Sequence, residues 1–587
     1  MPGPTRPAPA ASDVAAGAHE TGWAGHAQRL RAAVERYTGR PAFPRLTAAI
    51  TALAAADFAG GIAEARAAVA CDPGCALAWR LIGLCHEGQG GSIPALEAYQ
   101  AAQALAPDDQ DILSDLGRLA MTLGLPKVAA EFFAKALILD AGSAHLASQL
   151  SAALRDSHEY DTAVGVLRTA IQADTGDPLL WNALGSVILQ QGDADRAVIF
   201  LDQAAALAPD WPEPVYNRAI ARLELGEVRG AEADCDQVLA RVRPDQRPGV
   251  TFVRAQARLV GGDLAGGWAD YAARLDPDYP KSPTFACPGA RWRPTDDLLG
   301  RRLLVIGEQG LGDEIMFANM IPRLLQTLGG DGRLTLAVTP RLVPLFARSF
   351  PDAAVRAYQT RSVDGRTEIS APATLGAIDL WAPIGALAER FAADLPSLAE
   401  PGGAYLKPDP ERVSHWRTML HAGDARAKVG LTWKSRMTDG HRLKQYPPFD
   451  AFAPLLRRPG LQFVNLQYGD CAAELAQARA WGAEIWDGSA LDLTDDIDGA
   501  AALSAALDLV IGVGNASTNL AAAVGVPAWF IAPRAASWPR LGTDRHPWFP
   551  HTRVFAAETF GDWDGVFARL AEALGEIPTA ASTWSGL

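Results

Sequence analysis

Two consecutive stretches of 34 residues decide the fold of the first half of the chain. Residues 76–109 read ALAWRLIGLCHEGQGGSIPALEAYQAAQALAPDD, and residues 110–143 read QDILSDLGRLAMTLGLPKVAAEFFAKALILDAGS. Residues of matching size return at fixed offsets there and again in residues 178–211: Trp79, Leu113 and Trp181; Gly83, Gly117 and Gly185; Ala95, Ala129 and Ala197; Tyr99, Phe133 and Leu201. Small residues let paired helices approach closely, and large apolar ones fill the groove between them. The spacing predicts a series of helical hairpins.

This register is typical of the tetratricopeptide repeat (TPR). The units can be placed at 42–75, 76–109, 110–143, 144–177, 178–211 and 212–245, and the outer ones are less regular. Stacked repeats bury their core between neighbours and leave an extended concave surface that binds proteins or peptides. We therefore expect a protein partner for this half and any chemistry in the second half.

Length and composition limit the remaining possibilities. A chain of 587 residues is too long for one core, and its formal net charge of −14 argues against a nucleic-acid partner. Because no uninterrupted apolar run is long enough to cross a bilayer, we expect no membrane insertion. The Pro/Ala-rich segment Met1–Glu20 lacks the pattern of a secretion signal. The predicted location is the cytoplasm.

The second half alternates strand and helix signals, with a glycine-rich turn and a helix over Glu314–Gln326 after its first strand. Two series of apolar strands are predicted: Leu303–Ile306, Leu334–Val338 and Ile378–Trp381, then Val429–Trp433, Phe463–Leu466, Leu507–Val513 and Ala528–Ile531. Such series imply two Rossmann-like domains facing a cleft. The predicted fold class is α plus α/β, divided into a disordered or helical lead-in (1–40), a TPR solenoid (41–245), capping helices with a linker (246–300), a first Rossmann-like domain (301–410) and a second one with a C-terminal helix (411–587).

The first candidate for chemistry is the turn Gly307–Glu314, read GEQGLGDE. Gly310 and Gly312 permit a tight turn and the close approach of a ligand. Asp313 is expected at the start of the following helix, inside the cleft. There it can act as a catalytic base or simply cap the helix, and both roles are compatible.

The second candidate is a basic segment after the strand that ends at Trp433. Its members are expected to contact a nucleotide-activated donor: Lys434, Arg436, His441, Arg442 and Lys444. A cation fixed beside the leaving phosphate oxygen lowers the barrier to sugar transfer without a metal. The alternative is a solvated basic loop, which is the usual place for lysine and arginine.

The third candidate is Gly512–Asn519, read GVGNASTN, ahead of a predicted helix. Its backbone N–H groups would face a phosphate, and side chains would add hydrogen bonds: Asn515, Ser517, Thr518 and Asn519. The alternative is again a helix cap. Two Asp-x-Asp matches, at Asp276–Asp278 and Asp496–Asp498, fit solvated loops or helix-start acids better than a metal site, and we assign no metal.

Taken together, these motifs resemble those of bacterial TPR-containing glycosyltransferases, whose catalytic part is similar to heptosyltransferases and to the O-linked N-acetylglucosamine transferase. The resemblance is carried, in this order, by Gly267-Trp268 with Tyr271, Gly307–Asp313, Gly430–Lys434, Leu466–Asp470, Gly512–Asn519 and Trp538–Trp548. It implies a GT-B fold with the acceptor on the first Rossmann-like domain and the nucleotide-sugar on the second. It also implies Asp313 as base, Lys434 as the cation for the donor phosphate, a donor site that includes Gln467, and no cofactor.

Part of this group resembles flagellin-modifying transferases that use nonulosonic acids such as pseudaminic acid. We accordingly expect a cytoplasmic protein O-glycosyltransferase that moves a sugar to Ser or Thr of a protein, flagellin above all, held in the TPR groove. One alternative is a non-catalytic scaffold with a degenerate GT-B module, because heptosyltransferases usually carry Asp and His where this chain has Asn515 and Asn519. Another is a lipopolysaccharide sugar transferase.

Overall fold

The computed structural model describes residues 22–363, 365–399, 403–422, 424–435, 445–488, 491–534, 537–549, 551–559 and 561–575. The described residues divide into two compact units between Ala221 and Arg222, inside one helix.

The first unit is a helical solenoid. Its helices, with the one that reaches the boundary, are α1 (Gly22–Glu35), α2 (Phe43–Ala54), α3 (Phe58–Cys71), α4 (Ala76–Gly88), α5 (Ser92–Leu105), α6 (Gln110–Thr122), α7 (Pro126–Leu139), α8 (Ala144–Asp156), α9 (Tyr160–Ala173), α10 (Pro178–Gln190), α11 (Ala194–Leu207) and α12 (Pro212–Leu225). The first helices of successive hairpins begin 34 residues apart, at Ala76, Gln110, Ala144, Pro178 and Pro212. The structure therefore confirms the predicted register.

The repeating glycines are explained by packing inside each hairpin. A Cβ atom added to Gly83 would lie 2.4 Å from the ring of Tyr99, and one added to Gly117 would lie 2.6 Å from the ring of Phe133. At Gly185 the same atom would meet Leu201 at 2.6 Å. Each glycine thus makes room for the large residue that the register places 16 positions later, and the two helices of a hairpin pack closely.

The second unit begins with helices and continues into mixed α/β structure. Its helices after α12 are α13 (Val228–Leu239), α14 (Arg247–Val260), α15 (Leu264–Tyr271), α16 (Leu311–Phe317), α17 (Ile321–Leu328), α18 (Val343–Ser349), α19 (Ala388–Phe391), α20 (Leu395–Ala399), α21 (Pro410–His421), α22 (Ala453–Leu456), α23 (Ala472–Ala480), α24 (Ile497–Ser504), α25 (Ala516–Ala523) and α26 (Trp563–Gly575). The pair α14 and α15 corresponds to the predicted capping helices.

The strands of this unit form three sheets. They are β1 (Thr284–Ala286), β2 (Ala290–Arg291), β3 (Arg302–Ile306), β4 (Arg333–Val338), β5 (Ala353–Ala357), β6 (Gln359–Val363), β7 (Arg366–Ser370), β8 (Leu380–Pro383), β9 (Ala427–Thr432), β10 (Leu461–Asn465), β11 (Ile485–Trp486), β12 (Leu509–Val513), β13 (Ala528–Ala532) and β14 (Thr552–Ala556). Strands β1, β7 and β6 make a small sheet, and the other two sheets are larger and wholly parallel.

Both parallel sheets have a point at which the strand order reverses. The larger sheet runs β11-β10-β9-β12-β13-β14, which is the 3-2-1-4-5-6 order of doubly wound nucleotide-binding folds. The other runs β2-β8-β3-β4-β5. The chain therefore leaves β9 and β12 in opposite directions in one sheet. In the other, it leaves β3 toward β4 and later returns to place β8 on the opposite side of β3. Ligands of open α/β sheets bind in the crevice at such points.

We call the regions around these sheets the first lobe (β2–β5 and β8) and the second lobe (β9–β14). Helices between them join both lobes in one hydrophobic core, which contains Leu303 and Phe317 together with Leu520 and Phe530. Tyr405 stacks on Phe549, with ring centroids 6.2 Å apart. Among the residues that the structure describes, no helix combines the length and apolar character needed to cross a bilayer.

The prediction of one continuous helix over Glu314–Gln326 is wrong. Helix α16 ends at Phe317, a 3-10 turn covers Ala318–Met320, and α17 starts at Ile321. Pro322 lacks an N–H group and its ring would collide with the carbonyl four residues earlier, so the helix cannot run through.

Candidate functional site

Most of the predicted site residues that the structure describes follow strands at the reversal points of the two parallel sheets, and Gln467 follows β10. In the first lobe, the loop after β3 leads through Gly307 to Asp313, and Ile306 pairs with Pro383 of β8. In the second lobe, Thr432 at the end of β9 pairs with Gly512 of β12, so the segments that follow these strands start side by side. Lys434 belongs to one of these segments and Asn515 to the other.

The first-lobe loop is held by a buried ion pair. Glu308 Oε1 accepts hydrogen bonds from Arg274 Nη2 at 2.6 Å and from the backbone N–H of Gly385 at 2.9 Å. The side chains of Arg274 and Glu308 are only 6% and 2% exposed. Arg274 also donates to the Tyr271 carbonyl at 2.9 Å. One carboxylate thus ties the loop after β3 to the segment after β8 and to the capping helices.

The next residue of the loop is fixed as well. Gln309 Nε2 donates to the Tyr271 hydroxyl at 2.7 Å. Burial raises the pKa of Tyr271, and the charges of Asp313 and Glu308 raise it further while Arg274 opposes them. The carboxylate of Asp313 is therefore close enough to Tyr271 to act on it electrostatically.

Helix α16 starts at this loop. Gly310 is its extended N-cap residue, with φ −154°, and the backbone N–H groups of Asp313 and Glu314 bond back to the Gly310 carbonyl at 3.0 and 2.9 Å. The fully buried Glu314 carboxylate accepts hydrogen bonds from the backbone and side chain of Thr339 and from the hydroxyl of Tyr358. Burial raises the pKa of Glu314, and these hydrogen bonds partly offset that rise. Asp313 itself is half-buried at the first turn.

In the second lobe, buried amides hold the backbone at Lys434. Gln467 Oε1 accepts hydrogen bonds from the N–H groups of Trp433 at 2.9 Å and Lys434 at 3.0 Å. Asn515 Nδ2 donates to the Lys434 carbonyl at 3.2 Å and to the Thr432 hydroxyl at 2.7 Å. Because Gln467 is buried, it acts on the Lys434 backbone rather than presenting its own side chain to solvent.

The side chain of Lys434 is paired with an acid that the sequence did not single out. Its ammonium contacts the carboxylate of Glu474 in the first turn of α23, and Trp433 Nε1 donates to the same oxygen at 3.4 Å. Burial acts to raise the pKa of Glu474, but the hydrogen bond and charge of Lys434 outweigh it and leave that pKa below its ordinary value. The Glu474 carboxylate is therefore ionised at neutral pH.

The loop after β12 forms a capped helix start. The Asn515 side chain accepts a hydrogen bond from the N–H of Thr518 at 3.0 Å, which caps α25. Thr518 is fully buried, and its hydroxyl donates to the Val513 carbonyl at 2.7 Å, so this side chain stabilises the turn. Ser517 is half-buried in the first turn, and Gly514 is exposed with open space where a side chain would be.

The starts of α16 and α25 meet across the two lobes. Asn519 Nδ2 donates to the Gly312 carbonyl at 3.0 Å. A Cβ atom added to Gly312 would lie 3.5 Å from the Cα of Ala516. The structure thus brings the residue before Asp313 into contact with the first turn of the helix that Asn515 caps. A chain of direct contacts runs from there to Lys434.

Four of the predicted basic or polar contacts, Arg436, His441, Arg442 and Lys444, lie outside the described residues. The acids of the Asp-x-Asp matches have structural partners. Asp276 accepts the backbone N–H of Asp278 at 2.9 Å. Asp496 caps α24 and pairs with Arg412, and Asp498 pairs with Arg348 at 2.7 Å.

The solenoid has its own cluster of buried polar side chains on the first helices of successive hairpins. Asn182 Nδ2 donates to Glu213 at 3.0 Å, and Asn217 Nδ2 donates to Asn182 at 2.9 Å. Arg155 donates to the Ser186 hydroxyl at 3.0 Å. Burial raises the pKa of Glu213 to about 7, against the opposing effects of Asn182 and Arg155.

Comparison with known proteins identifies the family of this chain. It is 42% identical over 536 residues to Protein FlbA of Caulobacter vibrioides, an alignment that covers 90% of this chain and 89% of that protein. The chain belongs to the FlbA family. Tetratricopeptide repeat profiles match residues 46–92, 95–144 and 154–223 of this FlbA-family chain, which identifies the helical hairpins as such repeats.

Three further proteins each match less than half of the FlbA-family chain. BBSome complex member BBS4 of Bos taurus is 25% identical over 138 residues, which is 23% of this chain and 26% of BBS4. The solved structure of Pseudomonas aeruginosa pilF is 22% identical, covers 37% of this chain and 96% of its own, and has a TM-score of 0.29. A TPR protein of Thermus thermophilus, TTC0263, is 23% identical, covers 30% and 98% of the two chains, and has a TM-score of 0.28.

Some of the residues that form the site of this FlbA-family chain were not among the sequence predictions. Glu308 and Gln309 belonged to the quoted glycine-rich turn. The sequence does not distinguish a residue that merely lies in the turn from one whose side chain stabilises it. Arg274 and Glu474 lie far along the chain from the groups that they contact, and only the tertiary structure joins them. Tyr271, named above only among the residues that carry the family resemblance, accepts a hydrogen bond from Gln309.

Proposed function

We propose that this chain is a protein O-glycosyltransferase with a GT-B arrangement of its two lobes. The acceptor is a Ser or Thr hydroxyl of a protein bound by the tetratricopeptide solenoid, and flagellin is the acceptor that we expect. The donor is a nucleotide-activated sugar, for example a nonulosonic acid such as pseudaminic acid. The proposal places the reaction in the cytoplasm, where activated sugars are available, and needs no cofactor.

One observation carries the proposal. Asn519 of the second lobe bonds to the Gly312 carbonyl of the first, immediately before Asp313, while Asn515 of the same loop bonds to the Lys434 carbonyl. The backbone next to Asp313 in one lobe and the backbone of Lys434 in the other are thereby linked through one short loop, at the reversal points of two parallel sheets. A transferase of two substrates needs a base and a cation at one junction.

The proposed reaction uses each group in a defined role. Asp313 accepts the proton of the acceptor hydroxyl as its oxygen attacks the anomeric carbon of the sugar. The bond from that carbon to the donor phosphate breaks, and its electron pair remains on the phosphate oxygen. Lys434 and the N-terminal end of α25 stabilise the negative charge that grows there. Gln467 and Asn515 keep the Lys434 backbone in place during this step.

A second candidate function is a non-catalytic binding module. It is favoured by the contacts that the second-lobe side chains already make. Lys434 is paired with Glu474, Thr518 is buried in its turn, and Asn519 donates a hydrogen bond to the first lobe. A scaffold of this kind would bind the protein partner through the solenoid and would transfer no sugar.

The direct test incubates the purified full chain with flagellin and candidate activated sugars, and measures the intact mass of flagellin. We expect a mass increase equal to the transferred sugar. Asp313→Asn should slow transfer by about 100-fold or more, as does the loss of a general base. Lys434→Ala should slow it by about 10- to 1000-fold through the loss of charge stabilisation.

Matched controls make the same chemical changes elsewhere in the second unit. Asp379→Asn alters a half-buried acid paired with the exposed Arg302 ahead of β8, and Lys407→Ala removes an exposed lysine. Both controls should keep the wild-type rate. Transfer at the wild-type rate by both Asp313→Asn and Lys434→Ala would refute the assigned site, and a complete lack of transfer with nucleotide binding absent would favour the scaffold.

A further inference from the structure

The ion pair of Lys434 and Glu474 has a feature that the proposed reaction does not use. The ammonium that is proposed to meet the donor phosphate is already in contact with a carboxylate of the same lobe. The side chains are 24% and 19% exposed, so solvent screens the pair only in part. An anionic ligand that reaches Lys434 must therefore share the ammonium with Glu474 or replace it.

Only the side chain of Lys434 is free to respond to such a ligand. Its backbone N–H is bonded to Gln467 and its carbonyl to Asn515, which fixes the backbone on both sides. A lysine side chain has several rotatable bonds and three donor hydrogens on one ammonium. It can therefore turn from the carboxylate toward a phosphate without any movement of β9.

Glu474 is also stabilised in its charged form by groups other than Lys434. It lies in the first turn of α23, where the helix dipole favours a negative side chain. Trp433, which is 2% exposed, donates its ring N–H to the same carboxylate oxygen at 3.4 Å. The carboxylate is thus held in place by two groups besides Lys434, and it remains beside any phosphate that Lys434 contacts.

We propose that Glu474 is a positioning counter-ion that competes with the phosphate of the nucleotide for Lys434. Through this competition it weakens the binding of donor and nucleotide product and speeds the release of the product. The inference rests on the proposed function, because it concerns the same donor site. It adds to that function a residue that sets affinity without touching the reacting atoms.

The test compares nucleotide affinity in four full-length proteins: wild type, Glu474→Gln, Lys434→Met and the double variant. Calorimetric titration with uridine, cytidine, adenosine and guanosine mono- and diphosphates measures the Kd. Glutamine keeps an oxygen that accepts hydrogen bonds from Lys434 and Trp433, so Glu474→Gln removes charge while preserving shape. Removal of one charge near a phosphate at this degree of exposure should tighten binding by about 3- to 10-fold.

The variants distinguish a counter-ion from a merely structural acid. Glu474→Gln should lower both the Kd of the nucleotide and the KM of the donor, and should reduce kcat if product release limits turnover. In the Lys434→Met background, the same substitution should change the Kd by a clearly smaller factor, because the competition acts through Lys434. Glu558→Gln, which removes an exposed acid paired with Arg569 at 3.7 Å, is the control and should leave the Kd unchanged.

The possible results separate this inference from the proposed function. Nucleotide binding that Glu474→Gln leaves unchanged or weakens would overturn the inference alone. An equal tightening with and without Lys434 would also overturn it, since Glu474 would then act directly on the nucleotide. A wild-type protein that binds no nucleotide at all would overturn the proposed function and this inference with it.

Discussion

The buried pair of Arg274 and Glu308 offers a sharp test of the structure, because a more exposed pair of the same kind lies at the other end of β3. Glu308 lies just beyond the end of β3, and Arg302 at the start of β3 pairs with Asp379. The perturbation is Arg274→Met, which keeps much of the side-chain volume and removes the charge. We expect it to destabilise β3 and α16 strongly.

The size of the expected loss of stability follows from the burial of the Glu308 carboxylate. With the arginine gone, the 2% exposed carboxylate of Glu308 would keep the hydrogen bond from Gly385 and lose the one of 2.6 Å from Arg274. Removal of one partner from a buried ion pair leaves an uncompensated charge and typically costs about 3–5 kcal/mol. Arg302→Met should have a far smaller effect, because water solvates the Asp379 that it leaves behind.

Hydrogen–deuterium exchange of peptides that span β3 and α16 measures the free energy of local opening, and so it avoids the assumption that the whole chain unfolds in one step. The double variant Arg274→Met/Glu308→Leu should recover part of the loss, because no buried charge remains. Equal exchange in Arg274→Met and Arg302→Met would refute the reasoning that burial decides the effect.

Three further predictions concern helix packing, pH and capping. Gly185→Ala should lower the melting temperature of the solenoid, with a loss of about 1–3 kcal/mol from overpacking against Leu201, whereas Gly165→Ala, in open space on α9, should raise it slightly. Burial raises the pKa of Glu213 to about 7, so its folded form favours the protonated acid. The solenoid should therefore lose stability, on the order of 3 kcal/mol, as pH rises from about 4.5 to 7, and a Glu213→Gln variant should lack this loss in denaturant titrations. Asn515→Ala should lower the free energy of unfolding by about 1–3 kcal/mol, because the cap of α25 is lost, and it should weaken nucleotide binding in the calorimetric assay. An unchanged free energy of unfolding together with an unchanged Kd would contradict this prediction.

The solenoid could be predicted from the sequence because its contacts are local and repeated. Gly83 meets Tyr99 only 16 residues away, and the same relation recurs at Gly117 and Gly185. The apolar strands β3, β9 and β12 were predicted for a similar reason, since buried parallel strands are short continuous apolar runs. The short polar strand β6, which pairs with β7 in the small sheet, has no such signal and was missed.

The candidate site was predictable only in part. Loops at the carboxyl ends of parallel strands pointed to Asp313, Lys434 and Asn515, and the sheet order places these loops at the reversal points. The partners of these residues come from elements far away in sequence. Periodicity carries no information on which acid faces Lys434, and Glu474 on α23 became visible only when α23 was placed beside β9.

The hydrophobic core that runs through both lobes limits how the lobes can move against each other. A hinge motion of one lobe against the other would have to separate Tyr405 from Phe549 and break the hydrogen bond of Asn319 with the Trp548 carbonyl, each of them well buried. Large apolar interfaces of this kind resist rigid-body opening. In the proposed transferase, entry to the crevice and exit from it should then depend on rotamer changes and loop displacements. The rate of the proposed reaction should therefore be more sensitive to local viscosity and side-chain bulk than to the length of the connection between the lobes.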